Sequence, residues 1–190
     1  MNHLISPQQT LFAFLLVATI LLATSCGTGE AKLFGTPIRQ YADEVIEVSS
    51  EYSSPDWHAE EALGKEDVYP EYGDLEGTWA SATKDGQREF LELGFDSAQT
   101  VTKIEIYETF SPGAIDTVYL RNGRNKWILV YAGVAAATGE EVSRIFTINV
   151  DPPVYGVNAI RIKLDSPAVP DWNEIDAVAI TGKFPIVEGE

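Results

Sequence analysis

From Tyr41 onward the chain carries its apolar residues in short alternating runs, and nowhere in a helical stripe of twelve or more residues. Ile104, Ile106 and Glu108 oppose Lys103, Glu105 and Tyr107, and Ile160, Ile162 and Leu164 oppose Arg161 and Lys163. Side chains alternate across a strand with period two, so each run offers one apolar and one polar face. That is the pattern of a sheet buried on one side. It predicts strands over 44–48, 89–93, 102–107, 116–120, 127–131, 144–150, 159–164 and 177–181. Eight strands with Pro-Gly and Asn-Gly turns between them predict an all-β, two-sheet sandwich.

The 190 residues suit one domain and a targeting segment, and 45% hydrophobic content suffices for a single core. The charge is the unusual feature. Thirteen Lys and Arg against 29 Asp and Glu give −16, and residues 1–26 carry none of either sign. Such a surface repels phosphate backbones and anionic headgroups, which argues against nucleic acid as a partner. Neutral sugars, cations and basic protein surfaces remain open, and acidity that serves solubility alone fits equally well.

The first segment reads as an export signal. Leu11 to Ala23 is an uncharged run of thirteen residues, shorter than the roughly 20 a spanning helix needs. It leads through Ala23-Thr24-Ser25 into Cys26, the chain's one cysteine, followed by Gly27. This resembles a bacterial lipobox, which implies lipidation at Cys26, removal of residues 1–26 as a signal peptide, and an exported protein anchored to the bacterial envelope, at the outer membrane or cell surface. A plainly cleaved signal with an incidental cysteine is the alternative. A single cysteine permits no internal disulfide. Residues 27–40 lack sustained periodicity and read as a tether, with the domain over 41–184 and a tail over 185–190.

Few residues offer catalysis. Beyond the signal there is one histidine, His58, no nucleophile-elbow serine and no phosphate-cradling glycine loop. A zinc site of His and Cys cannot be assembled. Paired carboxylates of the glycosidase kind are not excluded by counting, though a small sandwich seldom provides the cleft. We therefore expect no enzyme.

Residues 53–79 stand apart: long, acidic, aromatic and poor in strand pattern, with a short helix expected over 56–63 capped by Asp56. Carboxylates beside glycines and carbonyls, at 63–67 and 72–79, are hard oxygen donors of the kind calcium takes. Trp57, Tyr69, Tyr72, Trp79 and Trp172 fall in or beside loops, where rings can stack on a pyranose or plug the end of the core. Trp127 opens an apolar run and is expected in the core. Glu174 and Asp176 share a face of the last strand, so at least one is expected to point inward and to need Arg88 or calcium. Loops 53–57, 110–114 and 168–173 are grouped as one surface, with Trp57, Phe110, Asp171, Trp172 and Asn173 as candidate ligand-binding residues.

The order of these segments is informative. Val45-Ile46-Glu47-Val48-Ser49-Ser50-Glu51-Tyr52-Ser53-Ser54, Ala62-Leu63-Gly64-Lys65-Glu66-Asp67-Val68-Tyr69-Pro70, Tyr107-Glu108-Thr109-Phe110-Ser111-Pro112-Gly113-Ala114 and Trp172-Asn173-Glu174-Ile175-Asp176-Ala177 together resemble the galactose-binding-like (discoidin, or factor 5/8 C-terminal) domain of bacterial surface proteins and of some F-box and pappalysin-type proteins. The resemblance implies an eight-stranded jelly roll acting in binding or adhesion. It also implies one structural calcium ion, for which Asp67, Asp74, Thr78 and Glu174 match best, although the family's Asp-Gly-Asp spacing is missing. The leading expectation is a lipid-anchored, non-catalytic module that binds carbohydrate at the envelope. The alternatives are an accessory protein-interaction component with no small ligand and, more weakly, a hydrolase.

Overall fold

A computed structural model describes residues 36–184. The signal peptide, Cys26, residues 27–35 of the tether and the tail 185–190 lie outside the described residues. Seven strands follow in order: β1 (Ile38–Tyr41), β2 (Glu44–Val48), β3 (Glu89–Phe110), β4 (Ile115–Asn122), β5 (Trp127–Ala132), β6 (Arg144–Leu164) and β7 (Glu174–Lys183). All pairings are antiparallel, in the order β1-β7-β3-β6-β4-β5, with β2 also on β3.

Two strands are long enough to serve both layers of the sandwich. The first part of β3, through Gly94, pairs with β2 and with residues 159–164 of β6, which in turn pair with β4. Its later part, from Thr100, pairs with β7 and with the start of β6. The change of partners falls where the ladder register shifts, between Gly94 and Lys103. The runs 89–93 and 102–107 are therefore one bent strand, as are 144–150 and 159–164. Pro152 and Pro153 explain the bend in β6. Proline donates nothing to a ladder, and the β3–β6 register jumps there, from Asn149 to Val154. The strand β1 also takes the end of the stretch read as tether, because Ile38 to Tyr41 pair with β7.

The alternation places the core. Leu91, Leu93, Ile104, Ile106, Val118, Leu120, Ile160, Ile162, Val178 and Ile180 are all fully buried. Each such Leu or Ile contributes roughly 1.5–3 kcal/mol, and a one-residue slip would turn a strand's whole set outward. Glu108, on the apolar side of its run, is also buried, with Arg144 Nε at 2.6 Å and the Gly113 N–H donating to it at 2.9 Å. Trp127 departs from expectation. It pairs with Arg121 and lies half-buried on the outer face, its ring 5.5 Å from the Arg121 guanidinium and 4.9 Å from that of Arg161. The run Trp127-Ile128-Leu129-Val130-Tyr131 is apolar at every position, so its period of two is invisible in sequence.

Candidate functional site

The long segment after β2 has little regular structure and is sewn down by its backbone. Tyr52 N donates to Ala80 O (2.8 Å), Ala80 N to Trp57 O (3.1 Å) and Gly77 N to Asp56 O (2.9 Å). Trp79 and Ile175 exchange both backbone bonds, joining the segment to β7. Trp79 is the anchor, fully buried with Nε1 donating to Ser50 O. The helix expected over 56–63 is two separate 3-10 turns, Pro55–Trp57 and Ala59–Ala62. Asp56 lies inside the first turn instead of capping a helix, and accepts from the Ser54 hydroxyl.

Beneath this segment sit two buried carboxylates, both members of the pair of which at least one was expected to point inward. Asp176 accepts the backbone N–H groups of Asp67 (3.2 Å) and Tyr69 (2.7 Å), so it pins the acidic loop from below. Burial pushes its pKa up against the pull of those bonds. Glu174 is wholly buried, with the Thr78 hydroxyl 2.9 Å from its Oε2. Its Oε1 has no hydrogen-bond partner of ordinary geometry. Desolvation, opposed by Thr78 and reinforced by the neighbouring Asp74 carboxylate, pushes Glu174 up to about 8. Arg88 does not serve either group, because it is paired with Asp116 and Asp165.

Of the four expected metal ligands, the fold brings Asp74, Thr78 and Glu174 together. Asp67 lies beside them, lining a surface hollow with Asp74 and Leu75, and its Oδ1 would stand 3.7 Å from a Cβ on Gly77. Gly77 has φ +96, and an added Cβ would meet Val68 Cγ2 at 3.1 Å, so glycine is required there. An orphaned, desolvated carboxylate oxygen beside a second carboxylate is a donor set that suits a hard cation. The residues present fit calcium.

The second feature is aromatic. Tyr52, Trp57, Asp74, Ala80 and Trp172 line one small pocket of about 90 Å³. Tyr52 meets Trp57 and Trp172 edge-to-face, with centroids 5.7 and 5.5 Å apart. Trp172 Nε1 donates to Ser81 O, whereas Trp57 Nε1 is buried without a partner. Lys84 stands over the Trp172 ring, 4.5 Å from its centroid, and pairs with Asp171 at 2.7 Å. That contact holds the Asp171 carboxyl below the usual range.

Two expected ligand residues thus converge and three do not. Phe110 packs on Tyr72 instead. Asp171 is tied to Lys84, and Asn173 is a buried brace donating to Ser111 O (2.9 Å) and Val169 O (3.1 Å). Asn173 nonetheless joins two of the three loops grouped from sequence. The pocket wall Tyr52 was missed, although its place just past β2 among small polar residues was a usable signal. Glu51, His58 and Glu60 also gather their ligand atoms within 4.8 Å, a spacing that sequence separation alone does not reveal.

The family model of the pappalysin-1 SD scarf domain, C-terminal, matches residues 34–185. The chain belongs to that family. An F-box/LRR-repeat protein 4 from Bos taurus is 24% identical over 178 residues, 75% of this chain and 28% of that protein, so the scarf domain spans under a third of that relative. Among solved structures, the family 32 carbohydrate-binding module of Streptococcus pneumoniae EndoD superposes with TM-score 0.55 at 13% identity, over 74% of this chain and 95% of that one. The F5/8 type C domain of a Bacteroides fragilis protein gives 0.53 at 15%, over 77% and 97%. At such identities the likeness establishes the fold of this scarf domain, a galactose-binding-like β-sandwich.

Proposed function

We propose that this scarf domain is a non-catalytic module that binds carbohydrate in the Tyr52–Trp57–Trp172 pocket. The observation that carries the reading is the meeting of Trp57 and Trp172, from loops more than a hundred residues apart, around one pocket. It supplies aromatic walls and an acidic residue, Asp74. Rings of this kind stack on the apolar face of a pyranose while the polar groups take hydroxyls. The EndoD relative is itself a carbohydrate-binding module. Hydrolysis fits poorly, because Glu174, whose carboxyl neighbours Asp74, is wholly buried and out of a substrate's reach. Glycosidases hold their two carboxyls roughly 5–9.5 Å apart around a substrate.

Two further parts belong to the proposal. Calcium held by Asp74, Thr78 and Glu174, with Asp67 at the rim, would neutralise the buried carboxylates and set the loop that carries one pocket wall. Lipid on Cys26 would hold the domain at the bacterial envelope, where one acyl chain is marginal and two or more are stable.

Glycan-array binding followed by titration of the best neutral sugar tests the pocket. Trp57→Ala and Trp172→Ala should each lower affinity at least ten-fold with melting little changed. If both variants bind as wild type per folded molecule, the sugar site is elsewhere. Cys26→Ala should move the protein from the membrane to the soluble fraction. Unchanged partitioning, with no lipid on the wild-type N-terminus by mass spectrometry, rejects the anchor.

A further inference from the structure

The cations of this acidic chain are unevenly placed. Five of its thirteen, Arg121, Arg124, Lys126, Arg161 and Lys163, lie on the β4–β5 hairpin and the adjoining end of β6. The ladder puts Arg161 opposite Tyr119 and Glu92, Lys163 opposite Thr117 and Phe90, and Arg121 opposite Trp127. Opposed residues share a face, and the alternate residues of these strands, Leu91, Val118, Leu120, Ile160 and Ile162, fill the core. Rings and cations therefore interleave on the outer face of the sheet.

Of these groups, Arg161 and Arg121 are held in place and only partly neutralised. The Arg161 guanidinium lies over both Phe90 (5.4 Å) and Trp127 (4.9 Å) and bonds Glu92, which is 3% exposed. Arg121 reaches the same carboxylate at 3.4 Å. Glu47 approaches Arg161 only at 3.5 Å and is well exposed, so solvent screens it. One buried carboxylate thus serves two guanidinium groups. Among the described residues no ion pair holds Lys163, Arg124 or Lys126, and Lys163 Nζ stands over the Tyr119 ring at 5.9 Å. A face with spare positive charge on a −16 chain is suited to an anion.

We propose that the outer face of β3, β6, β4 and β5 is a second binding surface, separate from the aromatic pocket, for an extended polyanionic glycan carrying carboxylates or sulfates. Neighbouring strands lie about 4.8 Å apart, so a chain laid across them meets a fresh cation or ring at each strand. Guanidinium forks fit planar carboxylates and sulfates, and the exposed edge of Leu129 and the rings offers apolar contact to sugar faces. Rigid, pre-ordered donors lose little entropy on binding. The middle of a sheet face presents no free backbone groups, which disfavours an extended polypeptide.

The test is affinity electrophoresis of the domain through gels containing polygalacturonate, chondroitin sulfate, neutral dextran or polyglutamate, at low and moderate salt. Wild type should be retarded by at least one of the two anionic glycans, less so at higher salt, and not by dextran. The triple substitution Arg124→Gln/Lys126→Gln/Lys163→Gln touches no ion pair and should keep the melting temperature while lowering affinity at least ten-fold. Trp57→Ala should bind these glycans as wild type does, which separates this surface from the pocket. No retardation by either anionic glycan, or equal retardation of the triple variant, overturns the proposal. Equal or tighter binding to polyglutamate overturns the glycan assignment in favour of an acidic protein partner.

Discussion

Replacing Glu174 by glutamine should flatten the pH dependence of stability, and the size of the effect follows from the site. In the unfolded chain this carboxyl titrates near its ordinary 4.5, whereas burial and Asp74 raise it to about 8 in the fold. Below 4.5 it is protonated in both states and folding bears no penalty. Between 4.5 and 8 the unfolded state is ionised and the folded state still holds its proton, so stability falls as pH rises. Each pH unit in that window costs about 1.4 kcal/mol. From pH 4.5 to pH 7 the loss is roughly 3 kcal/mol, which for a domain of this size lowers the melting temperature by roughly 6–12 °C. Above pH 8 both states are ionised and the loss levels off. Glutamine keeps the hydrogen-bonding shape without the charge, so Glu174→Gln should lack this component. Asp176 and Glu108 are also pushed up by burial and will leave a residual slope of the same sign. Differential scanning calorimetry in chelator, from pH 4.5 to 8.5, measures the difference. Millimolar calcium should restore the wild type chiefly at the high-pH end, since it binds the ionised form, and should do little for the variant. Parallel wild-type and Glu174→Gln profiles in chelator would refute the reasoning.

Two further substitutions probe the frame around the site. Arg144→Met strips the buried Glu108 of its cation and should cost about 3–5 kcal/mol at pH 7, less at pH 5 where the carboxyl is more readily protonated; urea unfolding at the two pH values checks both size and trend, and equal losses would point to lost packing. Gly182→Ala places a Cβ against the carbonyl of Thr100 on the neighbouring strand and should cost about 1–3 kcal/mol or more; a variant that melts like wild type would show that β3 can yield there.

The fold was legible because its core residues obey a rule that local sequence exposes. The alternation of Ile104 with Lys103 and Glu105, or of Ile160 and Ile162 with Arg161 and Lys163, determines which side chains face inward whatever the partner strand is. Continuity was not legible, since the runs 144–150 and 159–164 look like separate strands in sequence and are one strand bent at Pro152 and Pro153. Trp127 was misplaced because a wholly apolar strand hides its phase. In the site, the loop acids and tryptophans were found by composition, and Trp57 and Trp172 do line one pocket, each against Tyr52. Asp171 and Asn173 carry the same chemistry in sequence but are taken up by Lys84 and by loop carbonyls. That Glu174 and Asp176 would both be buried, one orphaned and one holding backbone amides, depends on how residues 67–79 lie across β7. No local pattern encodes that.

The pairing of β1 with β7 has a geometric consequence. Ile38 stands opposite Gly182, so the chain enters and leaves the domain at one corner, a few ångströms apart. A unit whose ends meet can be spliced into a larger polypeptide without prising its flanks apart, which accords with a relative in which the match fills only 28% of the length. The opposite end of β7 is Glu174, eight residues from Gly182 and therefore about 26 Å distant along the strand. Whatever holds the corner, the aromatic pocket beside Trp172 is carried on the far pole, reaching outward like a lamp on a bracket.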